Sequence, residues 1–456
     1  MRNDKLMSLK FMLILSIPIF IELLLQLVVG YSDQFMMKKY ENAVNGITNA
    51  NVINNMVINA FTVFSSASII LITQYKGAKD NSREKSVYSV AFYFNFIVSF
   101  VFSLIILCLG QFFLKGLQVP ELSYNEALLY LMITGGLLFF QTMSSTLSSF
   151  LKANSFMKES MIVNVIINFL NILGNFILIK VFAKIDMPIL GVAISSASSR
   201  IIGFFLMLII YIKKVGVPLS IKVFKEEMST TGIKLLKLGA PSGGESLSYN
   251  SSQIIIQLCA NQIVIYNGNN IGMGNIKTYA SMFAMVTYMF TSAVSQAMQV
   301  IIGQLLGSGR TEDTNKKVKQ TVLISLFTST VIAILFFIFS DTAFKFFDVY
   351  DHELLKLGHR IMFIEIFLEI GRAFNIVFVR SLQTSGDVVF PTILAVIFCW
   401  VVAVFGSFLF GSYSFLGLGL VGIWIAMAID ECVRAVIFLF RWRGGKWKKY
   451  NLVVND

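Results

Sequence analysis

Charge is scarce in this chain. Only 14% of its 456 residues are charged, against about 25% in soluble domains, whereas 56% are hydrophobic and 43 are phenylalanine. So little polar surface cannot cover soluble domains of this size, which excludes an ordinary soluble enzyme. Long apolar runs, each near the roughly 20 residues that cross a bilayer, indicate an all-α polytopic membrane protein.

The residue types that catalysis and metal binding need are also rare. The only two histidines, His352 and His359, have no HExxH pattern or cysteine companion, and the four cysteines form no CxxC pair. No GxxxxGK[ST] loop for ATP phosphates occurs. We therefore expect no enzyme activity, no cofactor and no resident metal, and an ion gradient rather than ATP as the energy source.

Apolar runs separated by Lys/Arg clusters predict twelve membrane helices. With the N-terminus inside, the inner segments carry 25 Lys and Arg residues and the outer segments 9. By the positive-inside rule, both termini are predicted to be cytoplasmic in a multi-pass protein of the cell membrane. The net charge of +12 is then a topology signal, and no nucleic-acid partner is expected. The spans are 11–37, 47–75, 87–114, 123–150, 159–182, 189–212, 235–262, 276–306, 318–347, 352–384, 390–412 and 417–441.

The two halves of the chain repeat each other. Pro18-xxx-Glu22 recurs as Pro241-xxx-Glu245 at an offset of 223, and three further matches follow at offsets of 230 or 231. A repeat of six spans re-enters the membrane in the same orientation, which predicts two six-helix lobes related by a pseudo-two-fold axis along the membrane normal. The predicted domains are an N-lobe at 1–212, a cytoplasmic linker at 213–234 and a C-lobe with a basic tail at 235–456.

Polar residues at bilayer depth are the candidates for function, because burying them in lipid is costly. Asp33, in the outer half of the first span, can exchange a proton or bind a transient Na⁺ from a low-dielectric pocket. Alternatively, it caps the helix end at the interface. Asn171 and Asn175 share one face of the fifth span with Asn168. Hydrogen bonding between helices is the alternative for that face.

A second group lies in the C-lobe. Glu369, Arg372 and Asn375 recur at every third position of the tenth span, one turn after Glu365. They form either a structural ion pair or a pair gated by protonation or substrate. In the twelfth span, Asp430 and Arg434 are interpreted as a structural pair. The remaining candidates are three single polar residues, Glu22, Ser196 and Glu245.

Several motifs resemble those of the multidrug and toxic compound extrusion (MATE) family, within the multidrug/oligosaccharidyl-lipid/polysaccharide flippase superfamily. The resemblance covers nearly the whole chain. The order and duplication of the motifs make it specific. The motifs are the SIPIFIE run ending at Glu22 and continuing to Asp33, ITQYKGAKD ending at Asp80, Asn171-xxx-Asn175, LGAPSGGES ending at Ser246, GQLLGSGR ending at Arg310, and GR-x-x-N at 371–375 followed by SLQTSGD.

The resemblance implies a V-shaped, two-lobed exporter that exchanges H⁺ or Na⁺ for small amphipathic cations. A monomer in membrane lipid is the default expectation. The resemblance places the ion-coupling site at Asp33, Asn171 and Asn175. Two departures stand out. Ser251 and Arg372 replace the carboxylates of a C-lobe Na⁺ site found in some members, and Asn175 stands where some members have Asp.

Two other functions are open at this point. A flippase for lipid-linked or other amphipathic metabolites should gather several Arg or Lys at mid-membrane depth, where this chain offers only Arg372. A membrane-embedded enzyme needs a clustered His/Asp or Ser/His set, which two histidines do not provide. The sequence therefore favours a cation-coupled multidrug antiporter with Asp33 as the coupling carboxylate.

Overall fold

A computed structural model of the protein describes residues 5–117, 119–268, 271–450 and 452. Helices build it, and no strand occurs within those ranges. The twelve long helices are α1 (Leu9–Met36), α2 (Glu41–Ala78), α3 (Asn81–Gly116), α4 (Glu121–Gly136 and Leu138–Ala153), α5 (Met157–Phe182), α6 (Pro188–Lys214), α7 (Ile233–Tyr266), α8 (Ile271–Gly307), α9 (Thr311–Ile338), α10 (His352–Ser385), α11 (Val389–Phe398, Cys399–Val404 and Phe405–Gly411) and α12 (Gly419–Arg443).

Length and hydropathy fit a membrane-spanning fold. Eight helices of the described chain are long and apolar enough to cross a bilayer, and the bent pair in α4 makes a ninth if it counts as one span. The other three long helices, α7, α10 and α12, carry more polar residues, which lowers their hydropathy. Large apolar side chains such as Phe112 and Phe327 are more than 70% exposed, as lipid-facing residues are.

Capping residues fix several helix ends. The side chain of Asp80 accepts a hydrogen bond from the backbone N–H of Arg83 at the start of α3 (3.0 Å). Asp351 likewise accepts from two backbone N–H groups in the first turn of α10 (2.9 Å each). Gly386, with φ of 96°, ends α10 in a left-handed conformation.

Three predicted spans differ in detail from the observed helices. The fourth bends by 42° around Leu137, and the eleventh contains a π-helical turn at Cys399–Val404. The ninth was predicted at 318–347 but runs from Thr311 to Ile338, with a short helix Ser340–Lys345 after it. Helix α9 begins before the predicted span because its first turn holds acidic residues. Such residues stabilise a helix N-terminus but do not contribute to an apolar run.

The helices group into two compact units. The N-unit comprises Ile21–Gly243, and the C-unit comprises Met1–Phe20 together with Gly244–Asp456. The predicted domains at 1–212, 213–234 and 235–456 stay a prediction, while the first 20 residues group with the C-unit and 213–243 with the N-unit. Helices α1 and α7 therefore each pass from one unit to the other within a few residues of Pro18 and Pro241.

Side-chain contacts explain the shifted boundaries. The ring of Phe20, on α1, packs edge-on against Phe290 of α8, with centroids 5.7 Å apart. At the start of α7, Lys234 donates a hydrogen bond to the Tyr75 hydroxyl of α2 (3.2 Å). The position of the polar linker alone does not predict these unit boundaries, because helices α1 and α7 continue through them without a break.

Small residues bring particular helix pairs close together. A Cβ on Gly191 of α6 would lie 2.6 Å from the backbone of Leu178 on α5. A Cβ on Gly371 of α10 would lie 2.7 Å from the backbone nitrogen of Cys432 on α12. Such close approach is typical of membrane helix interfaces. The buried polar clusters of the two units lie at these interfaces.

Candidate functional site

Asp33 is the centre of the polar cluster in the N-unit. Its side chain is 8% exposed and accepts hydrogen bonds from three other helices. Asn175 of α5 donates to Oδ1 (2.6 Å), while Tyr130 of α4 and Ser196 of α6 each donate to Oδ2 (3.2 Å). Every neighbour in this set is neutral, so hydrogen bonds rather than a direct ion pair hold the carboxylate.

Asn171 lies one step further from the carboxylate. Its side-chain amide donates to the Ser196 hydroxyl (3.0 Å), and its backbone carbonyl accepts from Ser195 (2.8 Å). Asn171 therefore orients Ser196, which in turn donates to Asp33. The structure thus joins Asp33 and Asn175 directly and links Asn171 to them through Ser196.

The cluster also contains oxygen atoms that accept nothing. The side-chain carbonyl oxygens of Asn171 and Asn175 are buried and make no hydrogen bond within the described part of the chain. Arg200, one turn after Ser196 on α6, donates to the backbone carbonyl of Thr134 (3.2 Å), and its charge acts on Asp33. The site therefore combines one carboxylate, spare neutral oxygens and one nearby cation.

The C-unit contains a larger charged cluster at the α10–α12 interface. The guanidinium of Arg372 pairs with Glu369 on its own helix. It also lies 3.7 Å from Glu365 Oε1 and, through Nε, 3.9 Å from Glu431 Oε1 on α12. The ring of Tyr288, on α8, lies against the guanidinium, with its centroid 5.1 Å from Cζ.

Helix α12 extends this cluster. Asn375 donates its side-chain amide to the Glu431 carboxylate (2.5 Å), which lies 3.2 Å from Arg434. Arg434 also pairs with Asp430 (2.5 Å). The pair Asp430–Arg434 is therefore joined through Glu431 to the network around Arg372.

Two candidates lie apart from these clusters. Glu22 of α1 pairs with Lys152 at the end of α4 (3.0 Å), and both side chains are largely buried. Glu245 of α7 accepts a hydrogen bond from Thr392 of α11 (3.4 Å). Neither contact includes Asp33 or Arg372.

Sequence reasoning missed two members of the sites, Tyr130 and Arg200. Tyr130 and Arg200 are single polar residues in apolar helices, and no local pattern links either of them to Asp33. Glu431 follows Asp430 directly, yet spacing along α12 alone cannot show that it faces α10. The four groups of the described chain that pair with the two arginines are carboxylates, Glu365, Glu369, Asp430 and Glu431.

Comparison with known proteins identifies the family. The MatE family model matches residues 18–177 and again 241–409, which together make up well over half of the chain. The chain belongs to the MatE family. The two matches begin 223 residues apart, at Pro18 and Pro241, and so confirm the internal repeat. MatE proteins are transporters, which places this chain among transporters rather than enzymes.

Curated relatives cover nearly the full length of this MatE protein. The uncharacterized transporter YisQ of Bacillus subtilis is 31% identical over 94% of this chain and 93% of its own length. The probable multidrug resistance protein NorM of Thermotoga maritima is 24% identical over 97% of this chain and 94% of its own.

Solved structures share the fold of this MatE protein. A multidrug resistance MATE family transporter of the MOP superfamily, in an outward-facing conformation, superposes with a TM-score of 0.84 at 17% identity, covering 96% of each chain. A MOP superfamily transporter from Pyrococcus furiosus superposes with a TM-score of 0.82 at 17% identity and the same coverage. The predicted fold class, twelve helices in two six-helix lobes, is confirmed.

Proposed function

We propose that this MatE transporter is a multidrug efflux antiporter, exporting amphipathic cations in exchange for H⁺ or Na⁺. The observation that carries the proposal is the buried Asp33 carboxylate, which receives hydrogen bonds from three other helices of the N-unit. A single buried carboxylate is a natural carrier for one positive charge, because a proton or a cation neutralises it.

The neighbours of Asp33 suit both states of such a carrier. Without a cation, Asn175 and Ser196 donate hydrogen bonds to the carboxylate. When a proton or Na⁺ arrives, the side-chain oxygens of Asn171 and Asn175, which accept no hydrogen bond within the described residues, can accept from the acid or ligate the ion. Loading thus requires the amides to turn, which offers a way to couple ion binding to helix rearrangement.

The C-unit cluster has a separate role in the proposal. Arg372 and Asn375 join α10 to α12, and Glu369 pairs with Arg372 within α10. Glu245 joins α7 to α11. We assign these four residues to gating, since ion pairs that have alternative partners can rearrange between conformations without leaving a buried charge unpaired. The relative named as a probable multidrug resistance protein supports drugs as the cargo.

Orientation follows from charge. The excess of Lys and Arg in one set of connecting segments supports a location in the cell membrane with both termini in the cytoplasm. The same proposal holds that the protein transports its cargo as a monomer.

The test is transport by purified protein in proteoliposomes. We expect efflux of a fluorescent planar cation, ethidium, to accelerate when a pH gradient or, separately, a Na⁺ gradient is imposed. The gradient that accelerates efflux identifies the coupling ion. An efflux rate that neither gradient changes would contradict the antiport proposal.

A further inference from the structure

The environment of Arg372 is that of a bound planar cation. Carboxylates from α10 and α12 surround its guanidinium, and the ring of Tyr288 covers it at 5.1 Å from Cζ. Carboxylate oxygens match the N–H fork of a guanidinium, and an aromatic face attracts its delocalised charge. The Arg372 guanidinium therefore occupies this site as a bound guanidinium ligand would, although it belongs to the chain.

The cluster holds more negative than positive groups. Four carboxylates, at residues 365, 369, 430 and 431, contact two arginines, at 372 and 434, so full ionisation leaves an excess of two negative charges. Glu365 Oε1, Glu369 Oε2 and Asp430 Oδ1 are buried and accept no hydrogen bond from the described residues. The site can thus accept more N–H donors and more positive charge than the chain supplies.

Arg372 can leave Glu369 and still keep a carboxylate partner. Its side chain is 16% exposed, more than the 2% of Glu365 and the 0% of Glu369, so Arg372 is the most accessible member of this group of three. Glu431 Oε1 lies 3.9 Å from Nε and offers a second partner on α12 if Glu369 is taken by another cation. An incoming cation therefore exchanges one ion pair for another, which avoids the large cost of a buried unpaired charge.

We propose that this Arg372 site binds guanidinium or amidinium groups of exported compounds, which compete with Arg372 for Glu369 and Glu365. The inference rests on the proposed export of cations and names a substrate class for it. Cations without N–H groups, such as quaternary ammonium ions, gain charge attraction at the site but no hydrogen bonds, so they should bind less tightly.

Binding of two matched probes to the purified full-length protein tests the inference without any ion gradient. Phenylguanidinium and phenyltrimethylammonium have the same charge and the same ring but differ in N–H donors. By calorimetry, we expect phenylguanidinium to bind roughly tenfold more tightly, the equivalent of one charge-assisted hydrogen bond. Equal affinities for the two probes would overturn the inference.

Variants separate competition from simple attraction. Arg372→Gln removes the tethered competitor and should tighten phenylguanidinium binding by about tenfold, whereas Glu369→Gln should weaken it by about tenfold. Glu353→Gln, on the exposed first turn of the same helix, is the matched control and should change nothing. Weaker or unchanged binding by Arg372→Gln would refute competition.

A conservative variant keeps the test usable if Arg372→Gln does not fold. If Arg372→Gln does not fold, Arg372→Lys keeps the charge but lacks the planar fork, and it should tighten probe binding by a smaller factor. Unchanged affinity in the lysine variant would then overturn the inference. The proposed antiport fails in a different measurement, because gradient-driven efflux can be absent while probe binding follows these expectations.

Discussion

Replacing Asp33 with asparagine removes the charge of the N-unit site while preserving its shape. The new side-chain oxygen can accept from Tyr130 and Ser196, as Asp33 Oδ2 does now. The new amide group faces Asn175, whose side-chain oxygen accepts no hydrogen bond within the described chain. If the Asn175 amide turns over, all three hydrogen bonds survive. Under the proposed role of Asp33, the variant loses only the capacity to carry a cation.

The expected change in stability is small. Hydrogen bonds to a charged acceptor contribute about 1.5–3 kcal/mol and neutral ones about 0.5–1.5 kcal/mol, so three bonds weaken by roughly 3 kcal/mol in total. Burying a carboxylate costs several kcal/mol, and removing its charge recovers part of that cost. The two effects oppose each other, leaving a net change of about 1–2 kcal/mol in the free energy of unfolding.

The assay compares efflux in proteoliposomes at matched protein levels. We expect gradient-driven ethidium efflux by Asp33→Asn to fall to the level of liposomes without protein, with folding checked by thermal denaturation in detergent. Asp341→Asn is the control, because it makes the same exchange at an exposed carboxylate in the short helix Ser340–Lys345. Undiminished gradient-driven efflux by Asp33→Asn would refute the assigned role of this residue.

Three further predictions concern other parts of the chain. Asn171→Ala should slow gradient-driven efflux without abolishing it, because Asn171 reaches Asp33 only through a serine hydroxyl; full loss would contradict this. Arg372→Gln should lower the melting temperature more than Glu369→Gln. Arg372 keeps two carboxylate partners after the second change, whereas three carboxylates lose a cation after the first, and the reverse order would contradict this. Cysteines introduced at 213–234 should react with impermeant reagents in everted vesicles and not in intact cells. Labelling in intact cells would contradict the predicted topology.

The direct contact between Asp33 and Asn175 was within reach of the sequence, and the reason is physical. A carboxylate and an amide stripe at bilayer depth both need polar partners, and carboxylates are few in the first six spans. The family resemblance then pointed to the same residues. The sequence could not show that Asn171 acts through Ser196, because which of two amides touches the carboxylate depends on the rotation of α5.

The C-unit cluster was only half predictable. The i,i+3 pair of Glu369 and Arg372 follows from helical spacing alone. Its partners on α12 are about 60 residues away in sequence, and only the close approach of the two helices at Gly371 brings Glu431 within 3.9 Å of Arg372. A contact of this kind depends on tertiary packing, for which a single sequence has no periodic signal.

The repeated fold carries its charges asymmetrically. At the offset of 223 that relates the two family matches, Asp33 corresponds to Ile256, a buried residue of the C-unit core. At the offset of 231 found in the later spans, Glu369 corresponds to Leu138, which is buried in the N-unit core. Asp33 and Glu369 thus each correspond to an apolar residue in the other unit, whereas Glu22 and Glu245 correspond to each other.

This asymmetry bears on mechanism. Duplication supplies two copies of a six-helix scaffold, but a buried charge persists at a position only where local donors or counter-ions stabilise it. The N-unit provides neutral donors around a single carboxylate, and the C-unit provides arginines and an aromatic ring among several carboxylates. The first environment suits the exchange of one small cation. The second suits a larger planar cation that can replace a guanidinium. In the proposed antiport, the two units would therefore take different partners of one transport cycle.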